Sequence, residues 1–485
     1  MTEYIKKTIK HLTRSREVRA STAYMICSIL QKCLSVLTLP LFTRLLTTEE
    51  YGVSTVYAST MAIVTICTTL YLPYGSFSTA MVKFEKDREG YISSANTICV
   101  FLTCFFFVVY FSFSSFWNNI LKLPIQLIVL MGFEVLFNTA ILFWMGKARY
   151  EYRYKSFVAI TLLTSVLGTG CSLLAVVYLP DKGVAKIIAN GIVISLIGLI
   201  IMVRSVIVGR QCFNKEYWKY ALSFNIILMP YYLSQLIFNQ SDSIMINYML
   251  GKSSAALYGV AYNLAFILTF VLNAINNSFV PWMYRKIKEN KLQEHKQVSV
   301  ILAALMSVLL MGIISLAPEI ILVMAGEQYS SAVWVVPPVA MSLLLLFYSQ
   351  LFVNVEFYYE EKYKLVVASL LSPVVNIVLN YFFIQRFGYI AAGYTTLISY
   401  FLFAGCNYFA MRKICKERNI KGELFDVRML MVILLAFFVV SIVFTVLYPY
   451  RLVRLGVITL VLVVVIAFHK KIIGFVIPLM NTIKS

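Results

Sequence analysis

Long apolar runs alternate along this chain with short polar segments that are mostly basic. Fourteen runs of about twenty residues or more can be traced, at 21–42, 52–74, 95–116, 125–145, 156–178, 184–206, 219–248, 254–282, 298–323, 332–357, 365–384, 391–411, 429–448 and 455–476. About twenty apolar residues in a helix cross the ~30 Å hydrocarbon core of a bilayer. The pattern therefore predicts an all-α membrane protein with about 14 transmembrane helices.

The last two runs differ from the other twelve because they consist almost entirely of Val, Leu, Ile and Phe. The sequence Tyr-Gly-Val begins at Tyr51 and recurs at Tyr258, each time after a turn that is predicted to face outward. Two sets of six helices, related by an axis along the membrane normal, would place both turns on one side. We therefore predict a basic tail (1–20), an N-lobe (21–207), a C-lobe (208–411), and two peripheral helices with a C-terminal tail (412–485).

The net charge of +20 is interpreted as a topology signal. With a cytoplasmic N-terminus, the inward segments hold 33 Lys and Arg and the outward loops hold 8, namely Arg44, Lys122, Lys182, Lys186, Lys252, Arg386, Arg451 and Arg454. Short loops rich in Lys and Arg stay on the cytoplasmic side, so both termini are predicted to be cytoplasmic. This placement argues against nucleic-acid binding, and the basic tail is expected to lie against anionic lipid.

Two charged residues fall at midplane depth in the N-lobe. Lys32 lies in the first run and is the one Lys or Arg that we place well inside a run, and Glu134 lies in the fourth. A cation at that depth costs on the order of 2.5 kcal/mol or more, so Lys32 is expected to face a polar cavity. Glu134 is its predicted partner, and a structural Lys–Glu pair without a transport role is the alternative.

A polar stripe is predicted on the seventh run, which Pro230 should kink. Beyond that proline the polar residues recur at helical spacing, as Tyr232, Gln235, Asn239 and Asp242. We interpret this helix as an outer gate. The remaining cavity candidates are two amides of the eighth run and an arginine at the outer end of the first run, namely Asn273, Asn277 and Arg44. The alternative is that these amides only join neighbouring helices.

Catalytic and metal-binding patterns are missing from the sequence. The Gly-Lys-Ser-Ser at 251 lacks the glycine five residues earlier that a phosphate-binding loop needs, and the three histidines lie far apart. No His, Cys, Asp or Glu set has the spacing of metal ligands. Polar helix faces without a reaction centre favour a transporter over an enzyme, with no cofactor and with H⁺ or Na⁺ coupling left open.

The segments RLLTTEEYG (44–52) and FNQSDSIMINYMLGKSSAALYGVAYN (238–263), with the basic tail and fourteen runs, resemble the Wzx-type O-antigen and polysaccharide flippases. These belong to the multidrug/oligosaccharidyl-lipid/polysaccharide exporter superfamily. The resemblance implies two six-helix lobes around a central cavity, in the bacterial cytoplasmic (inner) membrane. It also implies transport of an undecaprenyl-pyrophosphate-linked glycan, an O-antigen or capsule repeat unit, to the outer leaflet. Membrane lipids and other polysaccharide-assembly proteins are the expected partners.

Two alternative functions remain open from the sequence. An ion-coupled multidrug or metabolite antiporter of the same superfamily would need buried carboxylates, and Glu134 is the N-lobe candidate. A peptidoglycan-precursor flippase would share the mechanism and recognise another headgroup.

Overall fold

A computed structural model describes residues 16–289, 292–359, 362–418 and 422–467. Over these ranges the regular structure is entirely helical, so the predicted all-α class is confirmed. Eleven of the described helices are long and apolar enough to cross a membrane, which makes the chain a multi-pass membrane protein. The count of fourteen and the cytoplasmic termini stay predictions.

The chain divides into two compact units, Met1–Ala256 and Leu257–Ser485. In the first half of the chain the α-helices are α1 (Arg16–Leu45), α2 (Thr48–Thr69), α3 (Phe77–Lys83), α4 (Arg88–Ser112), α5 (Ser114–Leu121), α6 (Ile125–Tyr150), α7 (Tyr154–Tyr178), α8 (Lys182–Gly209) and α9 (Lys215–Leu250). A short 3₁₀ helix, Glu85–Asp87, precedes α4. The seventh predicted helix, α9, packs against α2 and α4 within the first unit, although the predicted lobe boundary precedes it. The predicted lobes and their internal symmetry stay predictions.

The remaining helices are α10 (Lys252–Phe266), α11 (Thr269–Lys288), α12 (Leu292–Met324), α13 (Val336–Tyr358), α14 (Lys362–Phe387), α15 (Ile390–Glu417), α16 (Val427–Val446) and α17 (Arg451–Ala467). A 3₁₀ segment, Glu327–Val335, leads into α13. The α13 helix is the core of the second unit, packed against α12, α15 and α16. The helices α14 and α15 are joined through an amide. Asn380 of α14 donates to Asn376 Oδ1 at 3.2 Å and accepts a hydrogen bond from Thr395 of α15.

The predicted turn after the first span is a well-formed helix start. The Thr47 hydroxyl accepts from the Glu50 amide at 3.2 Å, and Glu50 Oε2 accepts from the Thr47 amide at 2.8 Å. Such a capping box satisfies two backbone donors that would otherwise be orphaned at the beginning of a helix. This explains why α2 begins immediately after α1 ends.

Small residues let three helix starts meet at this end of the first unit. A Cβ added at Gly52 of α2 would lie 2.1 Å from the backbone oxygen of Lys252. One added at Gly183 of α8 would lie 2.5 Å from the backbone oxygen of Glu50. Backbone atoms cannot rotate away as a side-chain end can, so both positions require glycine.

Replacing Gly52 by Ala is expected to destabilise the protein by about 1–3 kcal/mol, the usual cost of overpacking. Thermal unfolding of the purified protein in nanodiscs measures the change. Gly170 is the matched control, because it also lies in a helix of the first unit and nothing stands within 4 Å of an added Cβ. The Gly170→Ala variant should be neutral or slightly stabilised, and equal melting of the two variants would contradict the tight Gly52 contact.

In the second unit the structure corrects the position of one arginine. Arg454 was predicted to lie in an outward loop, but α17 begins at Arg451 and places Arg454 one turn inside the helix. Its side chain is 1% exposed and forms an ion pair with Glu319 of α12. Arg454 Nη1 also donates to the backbone oxygen of Tyr448 at 3.0 Å. The buried guanidinium of Arg454 is therefore stabilised by a carboxylate and a backbone carbonyl.

Candidate functional site

Two adjoining cavities lie inside the first unit. One, here the Lys186 cavity, has a volume of about 310 Å³, and the other, the Lys32 cavity, about 470 Å³. Both are lined by Ser35, Thr169 and Asn190, so they meet along a shared wall. Their walls come from α1, α2, α6, α7 and α8. We refer to the two cavities together as the groove.

One face of α1 runs along the whole groove. Its lining residues recur every three or four positions, as Ser28, Gln31, Lys32, Ser35, Thr38, Leu39 and Phe42. Such spacing places them on one side of a helix. At 1.5 Å per residue the stripe is about 21 Å long, which is most of the hydrocarbon thickness. The groove therefore follows α1 over a length comparable to most of the hydrocarbon core.

Lys186 is the cation at one end of the groove. It was predicted to lie in an outward loop, but α8 begins at Lys182, so Lys186 occupies the second turn of the helix and lines the cavity. Its Nζ lies 4.5 Å from the ring centroid of Phe42 and 4.9 Å from that of Tyr51. The negative faces of both rings attract the ammonium. This aromatic corner holds the cation in place without neutralising it.

Glu134 of α6 lies in the same cavity and is 3% exposed. The hydroxyl of Tyr57 donates to Glu134 Oε2 at 2.7 Å. A Cβ added at Gly191 of α8 would lie 3.0 Å from that oxygen, so the glycine leaves the carboxyl its space. The sequence suggested Lys32 as the partner of Glu134. The structure instead pairs Glu134 with Tyr57 and places Lys32 in the adjoining cavity.

The Lys32 cavity carries two cations. Lys32 is exposed on the α1 stripe, and Arg149 lines the wall from the end of α6, its guanidinium 5.0 Å from the ring centroid of Phe157. Gln31 Nε2 donates to Ser165 Oγ at 3.0 Å, which joins α1 to α7 across the cavity. Asn138, Thr161 and Thr164 add further polar groups to this wall.

The charged residues lining the groove are three cations, Lys32, Arg149 and Lys186, and one carboxyl, Glu134. Hydroxyl and amide groups line much of the remaining surface. Cations and neutral donors suit a ligand that has negative charge and many hydroxyl groups, because each can make a charge-assisted or neutral hydrogen bond. Within the described ranges no group of three or more His, Cys, Asp or Glu could hold a metal ion.

Of the other predicted site residues, those whose side chains the structure describes do not line the groove. On α9, Asp242 is buried (1% exposed), Asn239 is half-buried and the Tyr232 ring packs on Tyr71 at 4.6 Å. Arg44 is exposed in the last turn of α1, and Asn273 is exposed on α11 of the second unit. The side chains of Gln235, Asn277 and Pro230 lie outside the described part of the structure, so the predicted kink stays a prediction.

More than half of the chain matches a known protein family. Residues 41–334, more than half of the chain, match the family described as polysaccharide biosynthesis protein. A protein of the Lsg locus of Haemophilus influenzae is 28% identical over 166 residues, covering 33% of this chain and 40% of that protein. The match thus spans less than half the length of that relative.

Two solved structures share the fold over most of the chain. The lipid II flippase MurJ, in an inward closed conformation, is similar with a TM-score of 0.66 at 13% identity, covering 93% of this chain and 99% of MurJ. An inward-facing multidrug resistance MATE family transporter of the MOP superfamily has a TM-score of 0.59 at 12% identity, with 83% and 100% covered. The chain therefore shares the fold of these two transporters over most of its length.

Proposed function

Because this chain belongs to the polysaccharide biosynthesis protein family, we propose that it is a flippase for a lipid-linked glycan. Its substrate in this proposal is an undecaprenyl-pyrophosphate-linked oligosaccharide, an O-antigen or capsule repeat unit. The headgroup moves from the inner to the outer leaflet of the bacterial cytoplasmic membrane by alternating access.

The groove is the observation that carries this proposal. A pyrophosphate bearing sugars cannot cross hydrocarbon, because its charges and hydroxyl groups would lose their water. Lys32 and Arg149 near one end of the groove and Lys186 near the other provide positive charge along the path. Ser, Thr and Asn side chains between these cations supply neutral hydrogen-bond partners.

The exposure of α1 supports lateral entry of the lipid. Of the eleven described helices that are long enough to cross a membrane, α1 is the least buried: only 11% of its most apolar stretch is buried inside the protein. It packs mainly against α7 and hardly against α2. A helix with little packing on one side moves at small cost. Separation of α1 from α2 would open the groove to the bilayer, where the polyprenyl tail remains.

Glu134 gives a reason to keep ion coupling in the proposal. A buried carboxyl hydrogen-bonded to Tyr57, in a cavity that also holds Lys186, is suited to gain or lose a proton or to bind Na⁺ as the groove changes shape. The same residue would serve an ion-coupled antiporter, the second candidate function. The Glu134→Gln variant separates the two candidates. If the variant still transports the lipid-linked glycan, but its transport no longer responds to a proton or sodium gradient, Glu134 couples the ion in a flippase.

The test uses cells in which the gene for this chain is deleted. Undecaprenyl-pyrophosphate-linked repeat units are expected to accumulate at the inner leaflet, and the wild-type gene should restore surface glycan. Lys32→Ala is expected to reduce export about tenfold to a hundredfold at normal abundance, because the loss of one charge-assisted contact costs roughly 1.5–3 kcal/mol. Lys155→Ala is the control, since Lys155 is exposed at the start of α7 and is absent from the groove lining.

Accumulation of a peptide-bearing lipid would instead identify a peptidoglycan-precursor flippase. Normal surface glycan and no accumulated lipid in the deleted strain would overturn the flippase proposal.

A further inference from the structure

The connection between α2 and α3 has an unusual backbone. Leu70 and Tyr71 have φ values of 46° and 55°, so two consecutive non-glycine residues lie in the left-handed region. Each such residue costs on the order of 1–2 kcal/mol. Backbone bonds close the turn, since Tyr74 and Gly75 both donate to the Tyr71 carbonyl, at 3.1 and 2.9 Å. Strain of this kind persists where surrounding contacts enforce it.

A buried clamp from α9 enforces this turn. Asn225 is fully buried, and its Nδ2 donates to Ser76 Oγ at 2.6 Å while its Oδ1 accepts from the Ser76 amide at 3.3 Å. A Cβ added at Gly75 would lie 2.0 Å from Asn225 Oδ1, so the clamp also requires glycine there. The segment 70–76 is consequently fixed against α9 rather than left as a loose loop.

The fixed segment presents three tyrosine rings together. Tyr71 stacks on Tyr74 with ring centroids 4.6 Å apart, and it contacts Tyr232 of α9 at the same distance. Tyr74 is 55% exposed, so part of its ring is open. Two segments far apart in sequence therefore build one aromatic surface, here the tyrosine platform (Tyr71, Tyr74 and Tyr232).

The tyrosine platform lies beside the end of the groove that contains Lys32 and Arg149. Tyr150, at the end of α6, donates to the backbone oxygen of Ser78 at 2.8 Å. A Cβ added at Gly146 of α6 would lie 2.4 Å from the ring of Phe77, so the start of α3 rests on this helix. Arg149, which lines the Lys32 cavity, directly precedes Tyr150 at the end of α6.

We propose that the tyrosine platform binds a sugar ring of the lipid-linked glycan while its pyrophosphate is held by Arg149 and Lys32. This inference rests on the proposed function. Aromatic rings offer flat apolar area and, in tyrosine, a polar edge, which match the C–H face and the hydroxyl groups of a sugar. The open face of Tyr74 takes the sugar, and Tyr71 and Tyr232 hold that ring in position. The backbone strain is the cost of presenting it.

The experiment compares two lipids bound to purified protein in detergent by native mass spectrometry. One is the lipid-linked glycan that accumulates in cells deleted for this chain, and the other is undecaprenyl pyrophosphate without sugars. Tyr74→Ala is expected to weaken binding of the glycan lipid about tenfold and to leave the sugar-free lipid unchanged. Tyr74→Phe should retain most of the binding, because it keeps the ring. Tyr178→Ala is the matched control, since Tyr178 is 79% exposed at the end of α7.

The outcomes separate this inference from the proposed function. Equal binding of both lipids by wild type, Tyr74→Ala and Tyr178→Ala would overturn the sugar site while the flippase proposal stands, and Tyr74 would then be a residue of the interfacial aromatic belt. A wild-type protein that binds neither lipid would overturn the proposed function and the sugar site together. A Tyr74→Leu variant that binds the glycan lipid as wild type does would show that apolar area, and not a ring, is sufficient, and would also reject the platform.

Discussion

Replacing Lys186 by Gln is expected to reduce export of the glycan about tenfold to a hundredfold, with folded protein near the wild-type amount. Lys186 is the cation that we place at the exit end of the groove, between the rings of Phe42 and Tyr51. A charge-assisted contact with a phosphate is worth roughly 1.5–3 kcal/mol, which corresponds to this range of rates if the contact forms on the transport path. Gln keeps a hydrogen-bond donor on a side chain one bond shorter and removes the charge.

Lys182 provides the matched control for this substitution. It begins the same helix, is exposed and does not line the groove. Lys182→Gln should leave both export and abundance unchanged, whereas Lys186→Arg should retain part of the export. Surface glycan and protein abundance are measured in the same cells. A Lys186→Gln protein that exports normally would exclude the groove as the path, and one that is lost from the membrane would assign Lys186 a structural role with the two rings.

The sequence predicted the fold class well because membrane helices depend on length and hydropathy, which are local properties. Helix ends were less predictable. The segment from Lys182 to Lys186 has two cations within five residues, so hydropathy places the beginning of the sixth run only at 184, and both lysines were counted with the outward loop. In the structure α8 already begins at Lys182, and Lys186 points into a cavity that hydropathy cannot register.

The candidate site was found in part. Lys32 and Glu134 stand out in sequence because charges are rare in apolar runs, and both line the groove. Their separate locations depend on helix packing: Tyr57 reaches Glu134 from 77 positions away in the chain. The stripe of small polar residues on α1 was a usable signal, since Ser28, Ser35 and Thr38 follow helical spacing with Lys32.

The polar stripe predicted on α9 shows what helical spacing alone cannot predict. Helical spacing places its members on one side, but it does not say which neighbour covers that side. The structure buries Ser234, Phe238 and Asp242 while Tyr232 and Asn239 are half-buried. The buried face therefore cuts across the predicted stripe, because α9 packs against α2 and α4. The gating role proposed from the stripe stays a prediction.

In the second unit, replacing Glu319 by Leu is expected to lower the free energy of unfolding by about 3 kcal/mol. The substitution would leave Arg454, 1% exposed, without its carboxylate partner, and uncompensated buried charges cost about 3–5 kcal/mol. We expect the lower end of that range because the Glu319 side chain is 24% exposed. Arg454→Leu should cost less, because Glu319 would keep Arg451, whose Nε is 3.7 Å from Glu319 Oε1.

The double substitution Glu319→Leu/Arg454→Leu should recover most of the loss, since replacing a buried ion pair by apolar residues of similar volume is often neutral. Chemical unfolding of the purified protein in mixed micelles gives the four free energies of this cycle. Glu423→Leu is the control, because its pair with Lys296 is long, 3.8 Å, and its side chain is 77% exposed. Exposed pairs of this kind contribute about 0–1 kcal/mol. If Glu319→Leu lowers the free energy of unfolding no more than Glu423→Leu does, the prediction is wrong. Water, rather than Glu319, would then stabilise the Arg454 charge in the folded protein.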